Sequence, residues 1–127
     1  MVADDEAHIR HVLSMKLASE GFEVLTAADG EEALELCRSE HPDMLITDFQ
    51  MPYLSGLDLC RQLRADEQTR GIPALMLTAR GFGIGPEEMA EGGIAAVLAK
   101  PFSPRQVLAK VKELIDRKAP DGAVTRR

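Results

Sequence analysis

Cysteine is scarce in this chain: two in 127 residues, Cys37 and Cys60. Neither lies in a CxxC or Cys/His spacing that would build a metal site or a redox pair. Both fall in stretches of helical pattern and read as reduced core thiols. Long apolar runs are also missing. The longest are about half a dozen residues, far short of the ~20 that a membrane-spanning helix needs. No basic-then-apolar leader opens the chain, so the expected address is the cytoplasm. Positive charge is short as well: 15 Lys and Arg stand against 21 Asp and Glu, for a net charge of -6. That balance excludes an extended nucleic-acid surface. Internal repeats and low-complexity segments are absent. What is present is 127 residues, 45% of them apolar, enough to bury one core in one domain.

Apolar runs alternate with amphipathic stretches along the chain. Strands are expected at Met1–Ala3, Glu23–Ala27, Met44–Thr47, Ala74–Thr78 and Ala96–Ala99. Most are continuously apolar, as strands covered on both faces should be. Between them, Ile9, Val12, Leu13 and Leu17 share one helical face, and Val107, Leu108, Val111, Leu114 and Ile115 share another. Asp29-Gly-Glu-Glu32 and Ser103-Pro-Arg-Gln106 both fit a capping box, with Pro104 at the first helical position. The sum is a (βα)5 chain, hence a parallel sheet with right-handed crossovers and helices on both faces. A domain over residues 1–118 and a polar tail over 119–127 complete the division.

In such sheets ligands sit beyond the carboxyl ends of the strands. Asp4 and Asp5 follow the first strand, Asp48 the third, and Lys100-Pro101 the fifth, while Thr78 ends the fourth. Three carboxylates, a hydroxyl and an ammonium thus converge on one rim. Each has an ordinary structural explanation alone: a loop cap, a strand end, a surface amine. All five on one edge fit a phosphoryl site. A hard cation takes carboxylate oxygens, which Asp5 and Asp48 supply with Asp4 in support. An aspartate can also be the nucleophile, with Lys100 and the metal drawing charge from the phosphoryl oxygens. The crowded acids Asp4-Asp5-Glu6 then gain a countercharge, with Glu6 left as an ordinary helix-start acid.

These residues resemble the receiver domain of two-component response regulators, through Asp4-Asp5-Glu6, Asp48-Phe-Gln-Met-Pro52 with Ser55-Gly56, Thr78-Ala79 and Lys100-Pro101-Phe102. The resemblance implies a flavodoxin-like doubly wound sheet in the order 2-1-3-4-5, the order of the family's single-domain chemotaxis regulators. It implies Asp48 as phosphoacceptor, and Mg²⁺ (or Mn²⁺) held by Asp5, Asp48 and the backbone carbonyl of Gln50, with Asp4 assisting. Thr78 and Lys100 would contact the phosphoryl group, and the Lys100-Pro101 bond would be cis. The implied partner is a sensor histidine kinase or a phosphotransfer protein. A downstream protein target would take the signal, with no nucleic acid or membrane bound by this chain.

Four departures from the family stand out. The first strand is truncated to three residues before the acids, which leaves its neighbours partly unpaired and the domain less stable; a start placed downstream of the native one explains it equally well. The switch position three before the lysine, usually aromatic, is Val97, which has no ring to swing and one strongly preferred rotamer. Glycines 81, 83 and 85 each disfavour helix by about 1 kcal/mol, so a mobile loop is expected over 81–86. The fourth helix should then start near Pro86 and end before Gly92-Gly93. Gly-Phe-Gly-Ile-Gly is not a dinucleotide fingerprint, because Pro86 stands where the third glycine belongs. Last, no output domain follows, so action by docking another protein, or by passing the phosphoryl group along, is expected; Arg117, Lys118, Arg126 and Arg127 read as solvated charges. Gln50 and Arg80 flank the site and tune its water access. Three alternatives remain. A degenerate receiver would bind partners without phosphorylation. An aspartate-nucleophile phosphohydrolase would need an acid where Gln50 stands. A flavodoxin would need a phosphate loop after the first strand.

Overall fold

Five strands and five helices alternate in the computed structural model, which describes residues 1–79 and 85–118, side chains through residue 116. They are β1 (Val2–Ala3), α1 (Ala7–Ser19), β2 (Thr26–Ala27), α2 (Gly30–Glu40), β3 (Leu45–Asp48), α3 (Gly56–Ala65), β4 (Ala74–Thr78), α4 (Pro86–Gly92), β5 (Ile94–Ala99) and α5 (Pro104–Lys118). All pairings are parallel, and the order is β2-β1-β3-β4-β5. Arg80, most of the glycine-rich stretch expected to be a loop, and the tail with Arg126 and Arg127 lie outside the described residues.

The continuous apolar strands are explained by two separate cores. Val2, Ile46, Leu75 and Leu77 face Leu13 and Leu17 of α1 and Val107, Val111 and Leu114 of α5. Their sequence neighbours Ala3, Leu45 and Met76 face the other way, onto Ala33 and Cys37 of α2 and Leu59, Cys60 and Leu63 of α3. Each step along a strand reverses the side chain, so both faces must be apolar. Cys37 and Cys60 are free, buried thiols, as the sequence suggests. The Ser103 box forms in both directions: Gln106 N–H donates to Ser103 Oγ at 3.1 Å, and Ser103 N–H to Gln106 Oε1 at 2.8 Å. The Asp29 box differs by one residue. Asp29 accepts from Glu32 N–H at 2.9 Å, but the Glu32 carboxylate accepts from Ala28 N–H.

Strand bounds depart from expectation where pairing decides them. Residues 23–25 are not strand, because β1 offers β2 only Val2 and Ala3 as partners. β5 begins at Ile94, two residues early, across a register shift opposite Ala74 and Leu75. β3 runs through Asp48, paired with Leu77. The helix α4 includes Gly92, and Gly93 closes it in the left-handed conformation. Although β1 is short, it pairs on both sides, and the Met1 amine donates to the Met44 carbonyl at 3.2 Å. Burial holds that amine below its ordinary value. A cavity of about 140 Å³, lined by residues such as Leu17, Phe22, Met44 and Val111, adjoins it at the amino edge of the sheet.

Candidate phosphoryl and metal site at the carboxyl edge

The acids lie at the opposite edge of the sheet from that cavity. Asp4 directly follows β1, Asp48 and Thr78 end β3 and β4, and Lys100 directly follows β5. Parallel strands in register therefore bring together residues up to 96 positions apart. The Lys100 ammonium stands 3.3 Å from Asp48 Oδ1, 3.7 Å from Asp4 Oδ2 and 4.0 Å from Glu6 Oε1. Carboxylate oxygens of Asp4, Asp5 and Asp48 lie within 4.8 Å of one another. Asp4 is fully buried and Asp48 nearly so, whereas Asp5 is exposed.

Backbone contacts fix this geometry. Lys100 N–H donates to the Thr78 carbonyl at 2.7 Å, tying the lysine to the buried threonine. Asp4 N–H donates to Ala27 O at 3.1 Å, and Asp4 Oδ1 accepts from Glu6 N–H at 2.9 Å. Arg10 Nη1 donates to the Asp4 carbonyl at 2.8 Å. On the other side, Thr47 Oγ1 donates to the Asp48 carbonyl at 3.0 Å. Gly56 opens α3 so close to that carbonyl that a side-chain carbon there would overlap it. The Lys100-Pro101 bond is cis.

Electrostatically the cluster is under-compensated. Burial pushes both Asp4 and Asp48 above the ordinary carboxylate value; the charges of Asp48 and Asp5 add to this at Asp4 and that of Asp5 at Asp48, while Lys100 pulls both back. For Lys100, burial favours the neutral amine, but Asp4, Asp48 and Glu6 outweigh it and raise its pKa. Asp4 Oδ2 is buried without a hydrogen-bond partner; the lysine at 3.7 Å is an ion pair too long to be one. An orphaned carboxylate oxygen in a set of three acids facing one ammonium fits a divalent cation.

Several positions are less central or were missed. Gln50 is exposed in the segment after β3, and Val97 is half-buried in β5, packed on the α2–α3 core. Glu6, expected to be an ordinary helix-start acid, is also an ion partner of Lys100. Arg10 escaped the sequence reading. Its signal was a cation near a helix N-terminus, where the dipole disfavours it unless another partner holds it.

A doubly wound α/β protein with an acid cluster, a buried threonine and a lysine at its carboxyl edge defines a narrow class. The sequence pattern of the response regulator receiver domain matches residues 1–112. The chain belongs to that family of two-component signalling domains. It is 34% identical to the chemotaxis response regulator CheY4 of Vibrio cholerae, with a TM-score of 0.80 over 89% of this chain and 94% of that one. A putative response regulator from Chloroflexus aurantiacus J-10-fl gives 37% identity and a TM-score of 0.80, covering 89% and 93%. The chain is also 41% identical over 117 residues to the alkaline phosphatase synthesis transcriptional regulatory protein PhoP of Bacillus subtilis (strain 168), covering 92% of this chain and 48% of that protein. It thus spans about half the length of the curated relatives it matches. Among the described residues no helix is long and apolar enough to cross a membrane.

Proposed function

We propose that this chain is a phosphoacceptor receiver that takes a phosphoryl group from a histidine kinase, or from a phosphotransfer protein, onto Asp48. The observation that carries the reading is the Lys100 ammonium 3.3 Å from Asp48 inside a cluster of three carboxylates. An Asp48 oxygen attacks phosphorus, and the bond from phosphorus to the donor imidazole breaks with its electron pair remaining on nitrogen. Mg²⁺ (or Mn²⁺) would be held by Asp5, Asp48 and the Gln50 carbonyl, with Asp4 assisting. When bound, the ion supplies positive charge to the phosphoryl oxygens. Lys100 is already in contact with the nucleophile and can follow the charge onto the transferred group. The Thr78 hydroxyl at the end of β4 is the neutral donor that reports its arrival.

Gln50 at the place of a general acid argues against a turnover hydrolase, which needs a proton donor for the leaving group. Val97 at the switch position implies a switch that relies less on an aromatic rotamer. The receiver unit is residues 1–118, with a polar tail after it, in a cytoplasmic setting and with a protein target downstream. Intact-mass analysis after exposure to acetyl phosphate tests the reading. One added phosphoryl group is expected with Mg²⁺, and none without it or in Asp48→Ala. Steady turnover of added phosphoesters would overturn it in favour of a hydrolase.

A further inference from the structure

The cavity at the amino edge of the sheet has walls of two kinds. Its interior is apolar: Leu17 of α1, Met44 just before β3, Ile46 within it and Val111 of α5 line the space and are all buried. Ile115, one turn further along α5, lines it too and is half-buried. Four lining residues are exposed, and all four are polar: Glu23, Glu40, His41 and Asp43. The mouth therefore carries three carboxylates. Neither Glu23 nor Glu40 has an ion-pair partner among the described residues. The Met1 amine in the wall is spent on the Met44 carbonyl at 3.2 Å, and burial favours its neutral form.

Size and charge together select a class of occupant. A void of about 140 Å³ leaves its apolar walls without contact partners on one side, and a guest that fills it restores those contacts. An apolar cavity of about 150 Å³ takes up benzene. Drug-sized ligands need roughly 300 Å³ or more. One ring or one short branched chain is therefore the limit here. At the mouth, uncompensated carboxylates attract a cation and repel an anion. A ring with one short cationic arm satisfies both walls. Its body leaves water, while its charged end stays at the surface and keeps part of its hydration, as a snorkelling lysine does.

We propose that this cavity is a binding site for a small amphiphilic amine, its single ring or short branched chain inside and its ammonium beside the carboxylates of Glu23 and Glu40. The site lies at the opposite end of β3 from Asp48 and does not depend on phosphorylation. The test is a titration followed by amide NMR shifts, with benzylamine, benzyl alcohol and benzoate as probes of one shape and three charges. Benzylamine should give saturable shifts at residues 22–25 and 41–46, with a Kd of about 1 mM or tighter. Benzyl alcohol should bind at least about threefold more weakly, the effect of two surface charges, and benzoate should not bind. The exposed pair Glu23→Gln with Glu40→Gln keeps the fold and should remove the preference for the amine while leaving benzyl alcohol unchanged. Ile115→Phe places a ring in the space and should abolish binding of both. Asp48→Ala should bind benzylamine as wild type does. Absence of saturable shifts with benzylamine in wild type would overturn the proposal. Equal affinity for benzylamine and benzyl alcohol would overturn it as well. Weakened benzylamine binding in Asp48→Ala would place the amine among the acids of the carboxyl edge and overturn it too.

Discussion

Replacing Lys100 with methionine removes the single ammonium facing three carboxylates while keeping most of the aliphatic stem. At an effective dielectric constant of about 20, the pairs at 3.3 and 3.7 Å each carry roughly 4–5 kcal/mol of gross attraction. Two effects reduce that loss. The variant no longer desolvates an ammonium, and the abandoned carboxylates can take up protons. Removing one partner of a buried pair costs about 3–5 kcal/mol. The lower end applies here, since the Lys100 side chain is 19% exposed. For a chain of this length about 3 kcal/mol corresponds to a melting temperature roughly 10 °C lower. The assay is thermal unfolding of wild type and Lys100→Met at neutral pH, then at acid pH, then with Mg²⁺. The gap should narrow at acid pH, because protonation of Asp4 and Asp48 removes the repulsion. It should narrow again with Mg²⁺, which restores countercharge and stabilises by mass action. A gap independent of both pH and Mg²⁺ would refute the electrostatic account and leave Lys100 as a packing residue.

Three further outcomes follow from the same geometry. Asp4 and Asp48 have folded pKa values raised above 3.8 by burial, so their contribution to stability is full below that value and is lost as pH rises through the folded values. Metal-free protein should therefore show a downward trend in melting temperature from these groups as pH rises above the ordinary carboxylate range, flattened by Mg²⁺. Gly56→Ala forces a carbon onto the Asp48 carbonyl; it should cost about 1–3 kcal/mol in denaturant unfolding and slow labelling by acetyl phosphate. Burial pushes the Cys37 and Cys60 thiols up to about 11 and about 12. Neither should react with an aromatic disulfide reagent at neutral pH in the native protein, and both should react promptly once it unfolds.

The rim was legible in the sequence because parallel topology leaves little freedom. Once five apolar runs alternate with helices, Asp4, Asp48, Thr78 and Lys100 must share an edge, whatever their separation in sequence. Helix starts were legible for a local reason, since Ser103 and Gln106 satisfy each other's backbone within one turn. The extent of β2 was not, because Val24 and Leu25 look like strand but a strand needs a partner, and β1 supplies two residues. The positive φ of 69° at Tyr53 was hidden for a different reason. A positive φ is usually announced by glycine or asparagine, and here a bulky aromatic occupies it. Arg10 was missed because its contact is with a backbone carbonyl, whose direction no side-chain pattern records.

The central claim is that Asp48 carries the phosphoryl group. Borohydride reduction of the phosphorylated chain converts an aspartyl phosphate to homoserine, which peptide mass analysis can locate. Homoserine at position 48 alone, formed only after treatment with phosphodonor and Mg²⁺, is the expected result. Homoserine at position 4 or 5, or none despite a phosphorylated intact mass, would contradict it.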